Sequence, residues 1–151
     1  MNQAPNSRFK FFPQLNNLDN TKWLSSTSSF FLNVTDKHFN SENLQDTFLQ
    51  AIAKESFLPI KEVFETFEFF ERIRKSSKAP LVADLCCGHG LLGLLFAIFE
   101  RKVERVILID KKEPESRQKL IKIAISVAPW IESKIDNRIA EITLNDDWIE
   151  P

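Results

Sequence analysis

The second half of the chain predicts an α/β fold, namely part of a doubly wound parallel sheet preceded by helices. Three observations predict it. After residue 80, short apolar runs alternate with helical stretches. All three glycines of the chain follow the first run within six residues, and the stretch before residue 80 has helical periodicity. The 151 residues are 43% hydrophobic and 27% charged, which is typical of a soluble globular domain.

Composition divides the chain into three predicted segments. Residues 1–40 are rich in Ser and Asn and predict an irregular leader with a few anchoring aromatic side chains. Residues 41–78 predict a helical cap of two helices, the first capped by Ser41 and the second opened by Pro59. Their apolar stripes are interpreted as packing surfaces rather than as a partner groove. Residues 79–151 predict the partial α/β domain.

The elements of this third segment follow one another in order. "LVADLCC" predicts a buried strand, and "LLGLLFAIFERK" predicts a helix that is apolar on nearly every side and therefore buried against a sheet. "RVILID" predicts the second strand, "EPESRQKLIKIAISVAP" a helix stopped by Pro129, and "RIAEITL" (138–144) the third strand. This alternation is typical of right-handed crossovers between parallel strands.

The glycines lie where the first strand turns into its helix. Such a turn presents unpaired backbone N–H groups and the positive end of the helix dipole. Gly88 and Gly90 let a ligand approach this backbone, and Gly93 lets the helix lie close to its strand. The pattern predicts a nucleotide-like ligand at the turn.

Two acidic residues sharpen this prediction. Asp110 ends the second strand, 20 residues after Gly90, and is expected to accept hydrogen bonds from ribose hydroxyls; alternatively it forms a turn or a helix cap. Asp84 lies four residues before Gly88, where a buried carboxylate is unfavourable unless it is paired. We therefore expect the strand to fray at Asp84, whose carboxylate would order loop amides or meet an ammonium group.

The stretch "ADLCCGHGLLG" resembles the first motif of class I (Rossmann-like) S-adenosyl-L-methionine (SAM) dependent methyltransferases, an acidic residue followed by D/E-x-G-x-G-x-G. The resemblance implies that Asp84, Gly88 and Gly90 line the methionine and ribose side of SAM. Cys86 takes the position of the first glycine, and His89 is interpreted as a loop residue near the carboxylate of the cofactor rather than a catalytic base.

The resemblance extends over residues 80–146. Asp110 matches the second-motif acid at the ribose, and Asn145 or Asp146 falls where family members often touch the adenine. More loosely, "DLCCGHGLLGLLFA" is similar to poorly characterised bacterial methyltransferase-domain proteins. The methyl acceptor is unknown, with RNA or protein favoured by family analogy.

The family has a seven-stranded sheet, whereas this sequence predicts its first three strands. The resemblance therefore implies an amino-terminal part that is catalytically incomplete as given: a truncated product, a fragment or half of a split enzyme. The first strand would then form an exposed apolar edge, which favours self-association or pairing with a missing C-terminal half. Two alternatives remain open: a fragment of an NAD-dependent oxidoreductase, and a non-catalytic scaffold or regulatory subunit of a methyltransferase that uses its Phe-rich front.

Other classes of site are disfavoured. The available zinc ligands are Cys86, Cys87, His89 and the distant His38, an unsuitable set, so no metal is predicted. The cysteines are interpreted as buried small residues in a reducing, cytoplasmic protein. No signal peptide and no membrane-spanning segment is predicted.

A basic cluster follows Asp110, within a chain whose net charge is -1. It is interpreted as a solvated helix face rather than an RNA-binding patch. Its members are Lys111, Lys112, Arg117, Lys119 and Lys122.

Overall fold

The computed structural model describes residues 9–13, 16, 29–30 and 37–143. The chain divides into two compact units, Met1–Ser76 and Ser77–Pro151. No helix in the described part of the chain is both long enough and apolar enough to cross a membrane.

The first unit contains two amphipathic helices, α1 (Leu44–Glu55) and α2 (Ile60–Ile73). The predicted cap of α1 is wrong by two residues, because Asn43 is the N-cap and its Oδ1 accepts a hydrogen bond from Asp46 N (2.8 Å). The Ser41 hydroxyl instead donates to the Asp46 carboxylate (2.7 Å). Asparagine and serine are equally suitable caps, so composition alone did not distinguish them.

Phenylalanine rings fill the core of this unit. The Phe12 ring lies 5.7 Å from Phe39, 5.9 Å from Phe64 and 6.1 Å from Phe67, all in edge-to-face geometry. The predicted anchoring of the leader by aromatic side chains is confirmed at Phe12 and at three further buried residues, Phe9, Phe30 and Phe39.

A carboxylate of α2 holds the backbone of the leader. Glu68 is 5% exposed and accepts hydrogen bonds from Lys10 N (2.8 Å) and Phe11 N (2.9 Å) as well as from Arg72 Nε (2.8 Å). Burial is the largest single influence on the pKa of Glu68, and it raises the pKa. The hydrogen bonds and the charge of Arg72 together lower the pKa by more, so the net shift is downward.

The second unit is a parallel α/β layer, which confirms the predicted fold class. Its three strands have the order β1-β2-β3, and both strand pairs are parallel. The elements in chain order are β1 (Leu81–Leu85), α3 (Leu91–Phe99), β2 (Arg105–Asp110), α4 (Glu115–Val127), a 3₁₀ helix (Pro129–Lys134) and β3 (Ile135–Ile139).

Helix α3 packs closely on the sheet at Gly93. A Cβ atom at this position would lie 2.4 Å from Leu108 Cδ2, closer than a Cβ atom can approach, and 3.0 Å from Val106 Cγ1, which is a tight contact. The predicted close packing at Gly93 is confirmed, although the two nearest side chains belong to β2, and the contact with β1 is the longer one to Asp84 Cβ (3.3 Å). Seven of the nine residues of α3 are buried, as its uniformly apolar sequence predicts.

The predicted bounds of the third strand are wrong. β3 begins at Ile135 rather than at residue 138 and ends at Ile139, because the chain after Pro129 forms a 3₁₀ helix anchored by the fully buried Ile131. The strand "IDNRI" contains three polar residues in succession, so apolar alternation does not predict its pairing with β2. Asn145 and Asp146, the predicted adenine contacts, lie outside the described residues.

Candidate functional site

The candidate site is the loop of residues 86–90, which joins β1 to α3. Three of its residues have positive φ: Cys86 (55°), Gly88 (52°) and Gly90 (79°), the last being the N-cap of α3. Gly90 N donates to Cys87 O (2.7 Å), and Cys87 N donates to Ile109 O (3.2 Å). The loop is therefore tightly wound and is tied to the carboxyl end of β2.

Asp84 links β1 to the first turn of α3, just beyond the loop. The expected fraying of the strand is wrong, because Asp84 lies within β1, in register with Leu108. Its Oδ2 accepts a hydrogen bond from Gly93 N (2.9 Å), in the first turn of α3. The carboxylate thus has a backbone partner, which stabilises its burial inside a regular strand.

The pKa of Asp84 reflects this environment. Burial raises the pKa of the carboxyl, whereas the Gly93 N–H and the positive charge of Arg117 lower it. The charge of Asp110 raises it further, and the net shift is upward. The two carboxylates therefore interact electrostatically, and Arg117 is the cation that offsets their repulsion.

Asp110 holds the loop from the side of β2. It is the last residue of the strand, as predicted, and its Oδ2 accepts a hydrogen bond from Gly88 N (3.0 Å). Its Oδ1 accepts a longer one from Lys112 N (3.4 Å), so Asp110 also has the predicted alternative role of a turn former. The Gly88 N–H is the main cause of the lowered pKa of Asp110. The side chain is 19% exposed, and a carboxylate can accept further hydrogen bonds.

Arg117 was assigned to a solvated helix face, and this prediction is wrong: its side chain is fully buried. Its Nε donates to Gly88 O (2.8 Å), Nη2 to Lys112 O (2.8 Å) and Nη1 to Asn137 Oδ1 (3.3 Å). Nη2 also lies 3.9 Å from Asp110 Oδ2. One guanidinium thus joins the glycine loop, the turn after β2 and strand β3.

A helical signal could have revealed this arginine. Arg117, Leu120 and Ala124 follow one another at spacings of three and four, and all three are buried. Arg117 therefore extends the apolar face of α4 by one turn. The four lysines of the predicted basic cluster are exposed, in agreement with the solvated face.

The remaining predicted loop residues differ in exposure. Cys86 is exposed and Cys87 is half-buried, so the interpretation of both cysteines as buried residues is wrong for Cys86. Burial raises the pKa of the Cys87 thiol to about 11, so Cys87 is a thiol at neutral pH. His89 Nδ1 shares a hydrogen bond with the Ser116 hydroxyl at the start of α4. Within the described ranges, no three His, Cys, Asp or Glu side chains are grouped as metal ligands.

A groove of about 380 Å³ lies elsewhere in this unit, between α4 and β3. Three isoleucines contribute to its lining together with Glu113, Asn137 and other polar side chains. Asn137 donates to Glu113, and it also accepts the hydrogen bond from Arg117. None of the predicted cofactor residues that the structure describes lines the groove, which is therefore distinct from the loop site.

Comparison of the chain with protein-family models, with curated proteins and with solved structures found no match.

Proposed function

We propose that the second unit binds SAM at the glycine loop and is a methyltransferase-type cofactor-binding domain. One observation supports this proposal above the others. Two carboxylates from neighbouring parallel strands flank the connection between β1 and α3: Asp110 accepts from Gly88 N in the loop, and Asp84 accepts from Gly93 N in the first turn of the helix. In parallel α/β sheets, ligands bind outside the carboxyl ends of the strands, which is where this loop lies.

The loop leaves room for a ligand at Gly88. A Cβ atom built there has no other atom within 4 Å, although the Gly88 N–H and C=O are bonded to Asp110 and Arg117. A ligand approaching this side meets a hydrogen-bonded backbone and the partly exposed carboxylate of Asp110. Ribose hydroxyls are suitable donors for that carboxylate.

The charge of the site favours SAM over NAD. With both carboxylates ionised, Asp84, Asp110 and Arg117 sum to one negative charge, which attracts the sulfonium and ammonium groups of SAM. The pyrophosphate of NAD would bring further negative charge. It also needs free N–H groups at the helix start, and the Gly93 N–H already donates to Asp84.

Cys86 is compatible with the proposed cofactor. The resemblance places a glycine at this position, and Cys86 has the positive φ that glycine adopts without strain. The loop therefore keeps the backbone conformation of a glycine loop although the residue has a side chain. That side chain is exposed.

The proposal concerns cofactor binding, and we assign no catalytic residue. Methyl transfer requires a group that holds the acceptor in line with the sulfonium. RNA or a protein is the acceptor we propose. Asp84 and Asp110 accept hydrogen bonds from Gly93 N and Gly88 N, and Arg117 donates to Gly88 O. The role we propose for these three residues is therefore to form the cofactor site.

Calorimetric titration of the full chain with SAM, S-adenosylhomocysteine and NAD tests the proposal. We expect both adenosyl compounds to bind and NAD not to bind. Asp110→Asn keeps an oxygen for the Gly88 N–H but loses the charge, and it should weaken SAM binding roughly tenfold, as for a charged hydrogen bond. Glu115→Gln removes an equal charge from the exposed start of α4 and should leave SAM binding unchanged.

Two results would contradict the proposal. Binding of NAD without SAM would favour the oxidoreductase alternative. Binding of none of the three compounds by the folded chain would favour a non-catalytic scaffold.

A further inference from the structure

The outer edge of β1 is a second feature of this unit that can bind a partner. In the strand order β1-β2-β3, β1 is hydrogen-bonded to β2 on one side, and no described strand lies on its other side. Ala83 is exposed and the Leu85 side chain is 43% exposed, so the edge is open to solvent.

The register determines which backbone groups lie on this edge. Pro80 O accepts a hydrogen bond from Arg105 N (3.1 Å), and Leu81 is in register with Arg105. In a parallel ladder alternate residues bond to the same neighbour, so the even-numbered residues of β1 face β2. Leu81, Ala83 and Leu85 therefore direct their N–H and C=O groups outward.

The edge of β1 lacks the features with which sheet edges usually avoid pairing, such as lysine, internal proline, a bulge or an outward-pointing charge. Its one charged residue, Asp84, turns its side chain the other way, toward Gly93 N. The opposite edge differs, because β3 contains Asp136 and Arg138, which form an ion pair at 2.7 Å. The apolar edge of the sheet is therefore β1, and the protected edge is β3.

We propose that β1 pairs antiparallel with β1 of a second copy of this chain, about a two-fold axis through Ala83. The three outward-facing residues are all apolar and are spaced symmetrically about Ala83, so a second copy of the strand can pair with the first through the same residues. Ala83 would face its own copy, and Leu81 would face Leu85 of the second copy, each in a hydrogen-bonded pair. The pairing joins the exposed Leu85 side chain to a leucine and produces one continuous sheet across the dimer.

Sedimentation equilibrium of the full chain over a wide concentration range tests this proposal. We expect a monomer–dimer equilibrium that Ala83→Lys shifts toward the monomer, raising the dissociation constant by about tenfold or more, because two lysines would face each other across the axis. Ile139→Lys places the same charge on the exposed end of β3, where the wild-type side chain is 64% exposed, and should leave the dimer intact. Circular dichroism establishes that both variants are folded.

Disulfide trapping is a second test of the pairing, and its positive result is a covalent dimer rather than a weakened one. Hydrogen-bonded antiparallel partners have Cα atoms about 5.5 Å apart, within the range that a disulfide spans. In a chain with Cys86 and Cys87 changed to serine, Ala83→Cys should give a covalent dimer on mild oxidation, and Ile139→Cys should not.

Three outcomes would overturn the proposal. The first is a wild-type chain that is monomeric at every concentration. The second is a dimer that Ala83→Lys and Ile139→Lys weaken equally. The third is a dimer that Ala83→Cys does not trap as a disulfide. The proposal is independent of SAM binding, because none of these measurements uses the cofactor.

Discussion

Replacement of Arg117 by methionine tests whether this buried guanidinium holds the glycine loop. Methionine has a similar length, so the change removes the charge and the donors while leaving little cavity. Gly88 O and Lys112 O each lose a donor at 2.8 Å, and Asp84 and Asp110 lose the positive charge of Arg117, which lowers the pKa of both. Breaking a buried charged network of this kind lowers the free energy of unfolding by about 3–5 kcal/mol.

The assay is urea unfolding followed by circular dichroism, combined with hydrogen–deuterium exchange. Exchange identifies the unit that loses stability, and we expect faster exchange in β2 and in the first turn of α4. Arg117→Lys should be intermediate, because lysine keeps the charge but cannot reproduce three hydrogen bonds from one planar group.

Lys119→Met on the same helix is the matched control. Lys119 is half exposed, and its partner is Glu115, which lies on the surface at 2.7 Å. This variant should unfold at the wild-type urea concentration. If Arg117→Met lowered stability no more than Lys119→Met, Arg117 would not be the residue that stabilises the loop.

Three further predictions concern the loop and its helix. Gly93→Ala should lower the free energy of unfolding by about 1–3 kcal/mol, because the added methyl group overpacks against Leu108. Gly88→Ala meets no neighbour and should lower it by only about 1 kcal/mol, which is the cost of a positive φ at alanine. Equal losses in thermal unfolding would contradict the packing argument. Cys86→Gly should unfold at the wild-type temperature or above it. Cys86→Val should unfold at a lower temperature than the wild type, because a β-branched residue is strained at positive φ. The opposite order of the two variants would refute the left-handed conformation of Cys86. Alkylation by iodoacetamide at neutral pH, followed by mass spectrometry, should modify the exposed Cys86 first. Cys87 should react only as the pH rises toward its pKa of about 11, since the thiolate is the reactive form, and fast modification of Cys87 at neutral pH would be inconsistent with its burial.

The sequence predicted those parts of the site that depend on short-range pattern. The position of Asp110 follows from the apolar run that it ends, and the close packing at Gly93 follows from a glycine within an otherwise apolar helix. The fold class was predictable for the same reason, because apolar strands and helices alternate at crossover spacing.

The parts that were missed depend on contacts between distant segments. Arg117 bonds to Gly88, Lys112 and Asn137, which belong to three different stretches of the chain. The sequence predicts that Asp84 ends its strand, because a buried carboxylate needs a partner. The partner is the Gly93 N–H, nine residues away, which becomes visible only when α3 lies against β1. Strand β3 has little apolar alternation, and its place in the sheet comes from pairing with β2 rather than from its own composition.

The hydrogen bonds between Glu68 and the leader have a consequence for synthesis of the protein. The Glu68 carboxylate meets Lys10 N and Phe11 N across 58 and 57 positions of sequence, and the rings of Phe9 and Phe12 are buried in the same unit. The leader leaves the ribosome before α2 has emerged, because it precedes the helix in the chain. These two rings therefore remain exposed to water until the second helix emerges, and during that interval the nascent chain is most prone to aggregate and to recruit chaperones.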